Sequence, residues 1–246
     1  MCELCAIAEQ PRIARRNFLR LAGIAAGLAV APRAFAKDTK APPKPENVLS
    51  PDAALDRLVK GNTRYIDGLT ARHDFKHERE ALSKGQNPFA AVLSCADSRI
   101  APELCFDTAR GDVFVCRVAG NFANDDIVAS LEYAVAVLNT PLIVVLGHGA
   151  CGAVDATIKS IKDGTTLPGH LPALVVALRP AVEAAKDKPG DLLANAIRSN
   201  VALTVDKLKS AAKTGKCALT RCRARPADEG QYALYRRPHQ APRFQA

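Results

Sequence analysis

Short apolar runs and amphipathic stretches alternate along the middle of this chain. Three apolar runs, at residues 89–94, 113–118 and 142–146, have the length and composition of buried β-strands. Between the second and third runs, apolar residues recur at helical spacing from Ile127 to Leu138. Apolar strands that alternate with amphipathic helices are typical of parallel strands with both faces covered. The pattern predicts a single α/β domain with a mainly parallel β-sheet flanked by helices.

Local signals predict where the helices begin and end. Ser50 is the predicted N-cap of a first helix, with Pro51 at the first helical position. Apolar spacing carries that helix to about Lys60, where the pair Gly61-Asn62 is expected to interrupt or bend it. Three further helices are predicted: one capped by Asp125 or Asp126, and two over residues 173–186 and 191–209.

The net positive charge of the chain lies in its two terminal segments, outside the predicted domain. The 246 residues carry a formal net charge of +9, and 48% of them are hydrophobic, which is ordinary for a globular protein. Residues 1–36 contribute +3 and residues 213–246 contribute +6, so residues 37–212 are neutral. A neutral domain lacks the electrostatic footprint of a nucleic-acid-binding protein, and we expect no nucleic-acid partner.

The N-terminal residues have the three-part plan of a signal peptide. The pair Arg15-Arg16 precedes an uncharged run at residues 21–31, and Ala34 and Ala36 supply small residues for cleavage. Paired arginines resemble a twin-arginine export signal, which predicts an exported or periplasmic protein. A run of 11 residues is too short for a membrane span of about 20 residues, so no stable span is expected after cleavage. The predicted organisation is a signal peptide (1–36), a linker (37–49), a folded domain (50–212) and a basic tail (213–246).

Candidate metal ligands follow two of the predicted strands. Cys95 comes directly after the first strand, and His148 and Cys151 follow the third. The carboxyl ends of parallel strands share one edge of a sheet, so these side chains can meet there. Two thiolates and an imidazole are ligands that zinc prefers, and three protein ligands leave a fourth position for water or substrate. Asp97 and Arg99 lie beside Cys95, and on an extended chain Asp97 points to the same side as that cysteine.

Several separate motifs resemble the signature of the β-class carbonic anhydrases. The paired zinc-site motif of that family is similar to Cys95-x-Asp97-x-Arg99 with His148-x-x-Cys151. Two supporting motifs agree in order and spacing, Gly61-Asn62-x-Arg64-Tyr65 and Gly147-His148-x-x-Cys151-Gly152-Ala153. The resemblance extends from about Ser50 to Lys209. The residues assigned to the substrate cleft by likeness to the plant-like branch of the family are Gln86, Phe114, Tyr133 and Gly152.

The resemblance implies a specific chemistry for the zinc-site residues. One Zn²⁺ per chain would be held by Cys95, His148 and Cys151, and the reaction would be the reversible hydration of carbon dioxide to bicarbonate and a proton. Asp97 would accept a hydrogen bond from the reacting water, and Arg99 would keep that carboxylate ionised and aimed. Alternatively, Asp97 could occupy the fourth zinc position itself, as in a closed, inactive state of some family members.

The resemblance also implies substrate contacts and an oligomer. Gln86 would donate an amide hydrogen bond to bicarbonate, while Phe114 and Tyr133 would wall an apolar slot for carbon dioxide. Family members form homodimers or higher homo-oligomers with the cleft at a subunit interface. Two other functions stay open: the same zinc fold acting on a carbon dioxide analogue such as carbon disulfide, and a non-catalytic protein that binds zinc or bicarbonate. A redox role is disfavoured because the predicted mature domain has no C-x-x-C motif.

The C-terminal tail departs from the family pattern. The family normally continues past the last helix into a final strand, but residues 213–246 are basic and lack apolar alternation. This composition resembles out-of-frame translation of a GC-rich gene, and we hypothesise a frameshifted or divergent tail. In a genuine basic tail, Cys217 and Cys222 could form a disulfide in an oxidising compartment, and a second zinc site with His239 is a weaker alternative. Cys105 and Cys116 are predicted to be thiols of the core.

Overall fold

The structure is a computed structural model that describes residues 49–83, 85–213, 224–225 and 232–235. All of these residues belong to one unit of the chain, Ala41–Ala246. The predicted signal peptide, nearly all of the predicted linker, and Cys217, Cys222 and His239 lie outside the described residues. Within the described ranges, no helix is both long enough and apolar enough to cross a bilayer.

A five-stranded sheet lies at the centre of the fold, in the order β2-β1-β3-β5-β4. The strands are β1 (Ala90–Ser94), β2 (Val113–Arg117), β3 (Ile143–Leu146), β4 (Ala224–Arg225) and β5 (Tyr232–Tyr235). β1 pairs in parallel with both β2 and β3, while β5 pairs antiparallel with β3. The three strands predicted from apolar runs are confirmed, and they form the parallel core of a single α/β domain.

Seven helices accompany these strands in the described part of the chain. They are α1 (Pro51–Ile66), α2 (Phe75–Ala81), α3 (Pro102–Cys105), α4 (Asp125–Ala136), α5 (Gly152–Asp163), α6 (Leu171–Glu183) and α7 (Leu192–Lys213). Ser50 caps α1 as predicted. The predicted aspartate cap of α4 is wrong, because the side chain of Asn124 accepts the backbone N–H of Ile127 and is the N-cap. Asp125 and Asp126 lie in the first turn instead, where their negative charge interacts favourably with the helix dipole.

Side chains of the parallel strands alternate between two apolar layers. On one face, Leu93 of β1 joins a cluster that includes Leu131 of α4 and Val205 of α7. On the other face, Val92 of β1 packs with Leu58 of α1. A third cluster lies where α5, α6 and α7 pack together, and it includes both Cys95 and Cys151. The sheet therefore has covered faces, and its carboxyl edge opens toward the third cluster.

The prediction that the first helix ends near Lys60 is wrong, and the pair Gly61-Asn62 does not interrupt it. Helix α1 continues through this pair to Ile66. A Cβ atom at Gly61 would lie 1.8 Å from the carbonyl oxygen of Phe106, so glycine is required for close packing of α1 rather than for a break. Asn62 is buried and donates from Nδ2 to the carbonyl oxygen of Cys105 at 3.0 Å. Both residues serve helix packing, which outweighs their poor helix propensity.

Part of the C-terminal tail joins the sheet, so the expectation that residues 213–246 lack a final strand is wrong. Strand β5 runs antiparallel to β3, in a register that pairs Tyr235 with Ile143 and Tyr232 with Leu146. Aromatic residues favour strands, and β3 has an edge whose backbone groups need partners. The strand is only 4 residues long. A pattern this short is hard to recognise in a segment that is otherwise basic. The frameshift hypothesis for the tail stays a prediction that resequencing tests.

Candidate metal centre

Three candidate ligands meet at the carboxyl edge of the parallel strands, as predicted. Cys95 directly follows Ser94, the last residue of β1. Ser94 lies opposite Leu146, the last residue of β3, and His148 comes two residues after it. Cys151 is the N-cap of α5, which leads the chain away from the edge. Because β1 and β3 are parallel neighbours, ligands 53 and 56 residues apart in sequence become neighbours in space.

The ligand atoms have the spacing of a metal site. The sulfur atoms of Cys95 and Cys151 and one ring nitrogen of His148 all lie within 4.8 Å of one another, and all three residues are buried. The two sulfur atoms are 3.9 Å apart, and both cysteines are free thiols rather than a disulfide. Two sulfurs on a tetrahedral zinc with Zn–S bonds of about 2.3 Å would be roughly 3.8 Å apart. The sulfur spacing therefore fits zinc without rearrangement.

The imidazole of His148 has the tautomer that a metal ligand requires. Its Nδ1 lies 2.9 Å from the carbonyl oxygen of Gly149, which can only accept, so Nδ1 carries the proton and donates it. In the neutral ring, Nε2 then carries a lone pair. Nε2 is buried and has no hydrogen-bond partner among the described residues. A bound cation would satisfy this atom. A buried acceptor without a partner lowers the stability of the folded protein.

The two thiols influence each other's ionisation. A hydrogen bond from the Cys151 thiol, helped by the backbone N–H of Gly120, lowers the pKa of Cys95. The same contact with Cys95, together with burial, raises the pKa of Cys151. The pair thus gives up its first proton readily and holds the second, which a divalent cation would displace on binding.

Asp97 and Arg99 form a close pair beside these ligands. Both carboxylate oxygens of Asp97 accept from the guanidinium, at 2.9 Å from Nε and 2.7 Å from Nη2, and Oδ1 also accepts the backbone N–H of Arg99. These hydrogen bonds hold the pKa of Asp97 well below its ordinary value. Oδ2 of Asp97 is 3.9 Å from Nε2 of His148. The carboxylate therefore borders the site but is engaged by Arg99, which is the arrangement expected of an open fourth position.

Arg99 also links the two loops that carry the ligands. Its Nη2 donates to the carbonyl oxygen of Ala150 at 3.1 Å, between His148 and Cys151. Ala150 has a φ of +51°, in the left-handed region that a non-glycine residue adopts only at a cost. This bond helps to hold a strained turn, and strain of this kind is common where side chains must converge on a site.

Three further residues support the site and were not found by sequence reasoning. Arg117, at the end of β2, donates to the carbonyl oxygens of Cys95, Asp97 and Ile100 at distances of 2.9, 2.7 and 2.6 Å. A charged residue at the end of an apolar run was the available signal for it. The other two are Gly120, whose N–H donates to Sγ of Cys95 at 3.2 Å, and Asn200, which binds Gly120 from α7. For Asn200 the sequence carried no signal.

The residues predicted for the substrate cleft are only partly brought together. Gly152 directly follows Cys151 and begins α5 at the site. Phe114 and Tyr133 lie near each other, with ring centroids 6.3 Å apart. Phe114, however, pairs with Ala91 and lies three residues before the carboxyl end of β2, which is about 10 Å along a strand. Gln86 is exposed and precedes the amino end of β1. One chain therefore holds these three residues toward the edge opposite the thiols.

Comparison with known sequences relates this chain to carbonic anhydrases. The sequence model of the family described as carbonic anhydrase matches residues 90–221. Carbonic anhydrase 2 of Mycobacterium tuberculosis is 44% identical over 134 residues, which are 54% of this chain and 65% of that protein. A carbonic anhydrase of Mycolicibacterium smegmatis is 42% identical over the same shares of both chains. The chain thus spans slightly less than two thirds of the length of these relatives.

Two solved structures that are similar to this chain are described as β-carbonic anhydrases. One is from a study of two tetrameric β-carbonic anhydrases of Sordaria macrospora; it is 23% identical, and the match covers 58% of this chain and 78% of that one with a TM-score of 0.49. A Coccomyxa β-carbonic anhydrase in complex with acetazolamide is 26% identical, and the match covers 65% and 77% of the two chains with a TM-score of 0.49.

Proposed function

The chain belongs to the β-class carbonic anhydrase family, and on that premise we propose that it catalyses the reversible hydration of carbon dioxide to bicarbonate and a proton. The observation that carries this proposal is the buried set of Cys95, His148 and Cys151, with its unpaired Nε2, beside a carboxylate held by Arg99. Three ligands and an open fourth position are the donor set of a catalytic zinc site rather than a structural one.

The three ligands would hold one Zn²⁺ per chain. When bound, zinc supplies Lewis-acid activation of water, for which a carbonic anhydrase with three histidine ligands is itself the usual example. The two thiolates of Cys95 and Cys151 offset the double positive charge of the cation, so this donor set acidifies water less strongly than three neutral histidines. A hydrogen-bond acceptor for the water, supplied by the protein beside the metal, would help to compensate.

Asp97 is placed to be that acceptor. Its Oδ2 lies near Nε2 of His148, and Arg99 keeps the carboxylate ionised and fixed in direction. A hydrogen bond to Oδ2 would orient the reacting water so that its lone pair faces carbon dioxide. Asp97 thus acts by accepting the water's hydrogen bond at Oδ2, and Arg99 acts by holding Asp97 in place.

A second copy of the chain would complete the substrate cleft. Tyr133 is 48% exposed, and Phe114, Tyr133 and Gln86 lie away from the thiols of their own chain. In a homodimer or higher oligomer, these residues of one protomer would face the metal site of its partner. Gln86 would donate to bicarbonate and the two aromatic rings would wall the slot for carbon dioxide, as in the plant-like branch of the family.

Mixing two inactive variants tests this shared cleft. Cys95→Ala removes a ligand from one protomer and Tyr133→Ala removes a cleft residue from another. In a hybrid dimer, the Tyr133→Ala protomer keeps its own ligands and receives the intact Tyr133 of the partner, so unfolding and refolding the two variants together should restore activity above the sum of the separate samples. No gain in a sample shown to contain hybrids would contradict the shared cleft.

We also propose that the chain is exported, in folded form, through a twin-arginine signal in residues 1–36. Support comes from the paired arginines, the 11-residue uncharged run and the small residues Ala34 and Ala36. Cell fractionation with N-terminal sequencing of the mature protein tests it, and a mature chain beginning at Lys37 in the periplasm is expected. Retention of the full N-terminus in the cytoplasm, unchanged by Arg15→Lys with Arg16→Lys, would contradict it.

Stopped-flow measurement of carbon dioxide hydration against pH, on protein whose zinc content is quantified, tests the central proposal. Activity that rises with pH and follows zinc content supports it, and Cys95→Ala is the matched control without metal. Full zinc content with no hydration at any alkaline pH would favour a non-catalytic zinc-binding protein. Faster turnover of carbon disulfide than of carbon dioxide would favour the related hydrolase.

A further inference from the structure

Asn200 reaches the metal site from a helix that carries none of its ligands. It lies in α7, is only 3% exposed, and donates from Nδ2 to the carbonyl oxygen of Gly120 at 2.7 Å. The backbone N–H of Gly120 in turn donates to Sγ of Cys95 at 3.2 Å. We propose that Asn200 is a positioning residue for the metal site: by fixing Gly120 it maintains the hydrogen bond to the ligand sulfur of Cys95 and thereby raises the affinity of the site for zinc.

Gly120 needs such a tether because of its own conformation. Its φ is +83°, a region that favours glycine, and a Cβ atom there would lie 2.8 Å from Cδ1 of Leu178. Glycine is therefore the residue that fits, yet glycine is also the residue whose backbone is least restricted by its own side chain. The bond from Asn200 holds the carbonyl on one side of the Gly120 Cα, while the bond to Cys95 is made on the other side.

The hydrogen bond to sulfur has a direct role in metal binding. A thiolate that accepts a fixed N–H donor has its negative charge stabilised and its remaining lone pairs held in a set direction. Sequence alone does not connect these residues, because Asn200 and Gly120 are 80 residues apart and Cys95 lies 25 residues before Gly120. The inference rests on the proposed zinc site, but it does not depend on carbon dioxide being the substrate.

A second buried asparagine provides a matched control. Asn62 in α1 is also 3% exposed, and its Nδ2 donates to the backbone carbonyl oxygen of Cys105 at 3.0 Å. Burial, donor atom and acceptor type are the same as for Asn200. The difference is that Cys105 is outside the candidate ligand set. If burial and a satisfied carbonyl were the whole role of Asn200, the two residues would respond alike to substitution.

The experiment compares Asn200→Leu with Asn62→Leu in the full chain. Zinc affinity is measured by competition with a chromophoric chelator, and the thiolate-to-metal charge-transfer band is recorded with Co²⁺ in place of zinc. Loss of a partner that orients a metal ligand typically lowers affinity by about 10- to 100-fold. We expect Asn200→Leu to lower zinc affinity by at least about tenfold and to shift the Co²⁺ band, while Asn62→Leu leaves both at the wild-type values. Both variants should melt at a lower temperature than the wild type.

The possible outcomes separate this inference from the proposed function. Wild-type zinc affinity and an unchanged Co²⁺ band in Asn200→Leu, with a fall in melting temperature equal to that of Asn62→Leu, would overturn the inference alone. A wild-type chain that binds zinc but does not hydrate carbon dioxide would overturn the proposed activity and leave the positioning role standing. A wild-type chain that binds no zinc would overturn both. If the leucine variants do not fold, Asn200→Ser and Asn62→Ser remove the reach of the amide with a smaller change, and the same comparison applies.

Discussion

Among the residues that the structure describes, two pairs of buried cysteines differ in the surroundings of their thiols. Cys95 and Cys151 are 3% and 1% exposed, while Cys105 and Cys116 are 4% and 7% exposed. Burial raises the pKa of Cys105, and it raises that of Cys116 to about 11. The pKa of Cys95 is lowered instead, because the thiol of Cys151 and a backbone N–H donate to it, while the same contact and burial raise the pKa of Cys151. Burial by itself makes a thiol inert, and donors and a second sulfur make it a candidate ligand.

The position of each cysteine relative to a strand end explains the difference. Cys116 is within β2, where its side chain joins an apolar cluster with Leu131 of α4. Cys95 is one residue past the end of β1, where the chain leaves the sheet and backbone N–H groups such as that of Gly120 become available to sulfur. The same residue type is therefore a core side chain in one place and a ligand a short distance along the neighbouring strand.

The largest expected effect comes from deleting one sulfur of the candidate site. Cys95→Ala should reduce bound zinc to less than about 0.1 per chain, since two ligands rarely hold zinc against dilution. Atomic absorption on dialysed protein measures it. Cys116→Ala is the control and should keep the wild-type zinc content. Equal zinc content in the two variants would remove the distinction between the cysteine pairs.

The substitution Asp97→Asn should separate zinc binding from catalysis. Asparagine keeps the shape of the side chain but loses the negative charge that accepts the water's hydrogen bond, so zinc content should be unchanged while carbon dioxide hydration falls by about 100-fold or more. Stopped-flow assays on zinc-quantified protein measure the effect. Asp107→Asn is the control, because Asp107 is paired with Arg64 and Thr70 outside the site. Full hydration activity in zinc-loaded Asp97→Asn would refute the proposed role.

Bound metal should shield one cysteine pair and leave the other unaffected. With zinc present, alkylation of Cys95 and Cys151 should be slower by at least about tenfold than after chelation, because a coordinated thiolate is a poor nucleophile. Cys105 and Cys116 should stay unmodified in both states while the protein is folded. Mass spectrometry of the digested protein reports each cysteine separately. Zinc-dependent protection of Cys105 or Cys116 would contradict the assignment of ligands.

The smallest effect is expected for the core thiols. Cys105→Ala removes one buried sulfur and should lower the free energy of unfolding by about 1 kcal/mol, as a small core truncation does. Urea denaturation of the metal-loaded protein measures it, with zinc content as the second readout. A loss of zinc in this variant would show that Cys105 is coupled to the metal site.

The sequence was sufficient to predict the parallel strands and the ligand set. Apolar runs longer than four residues bounded by polar segments gave β1, β2 and β3, and cysteine and histidine directly after two of them gave the candidate ligands. The sequence did not predict β5, because this strand has only 4 residues and its partner β3 lies far away in sequence. It also failed at Gly61, since the same residue breaks a helix or allows close packing, depending on what lies against it.

What the sequence determined by itself was local: which segments are apolar, which residue types stand at strand ends, and hence which metal they suit. Tertiary structure alone decided which distant groups hold those residues in place. Arg117 binds three carbonyl groups of the loop that carries Cys95, and Asn200 reaches Gly120 across 80 residues. The physical reason is that a hydrogen bond depends on the position and direction of two atoms, and only the folded chain sets these for residues far apart in sequence.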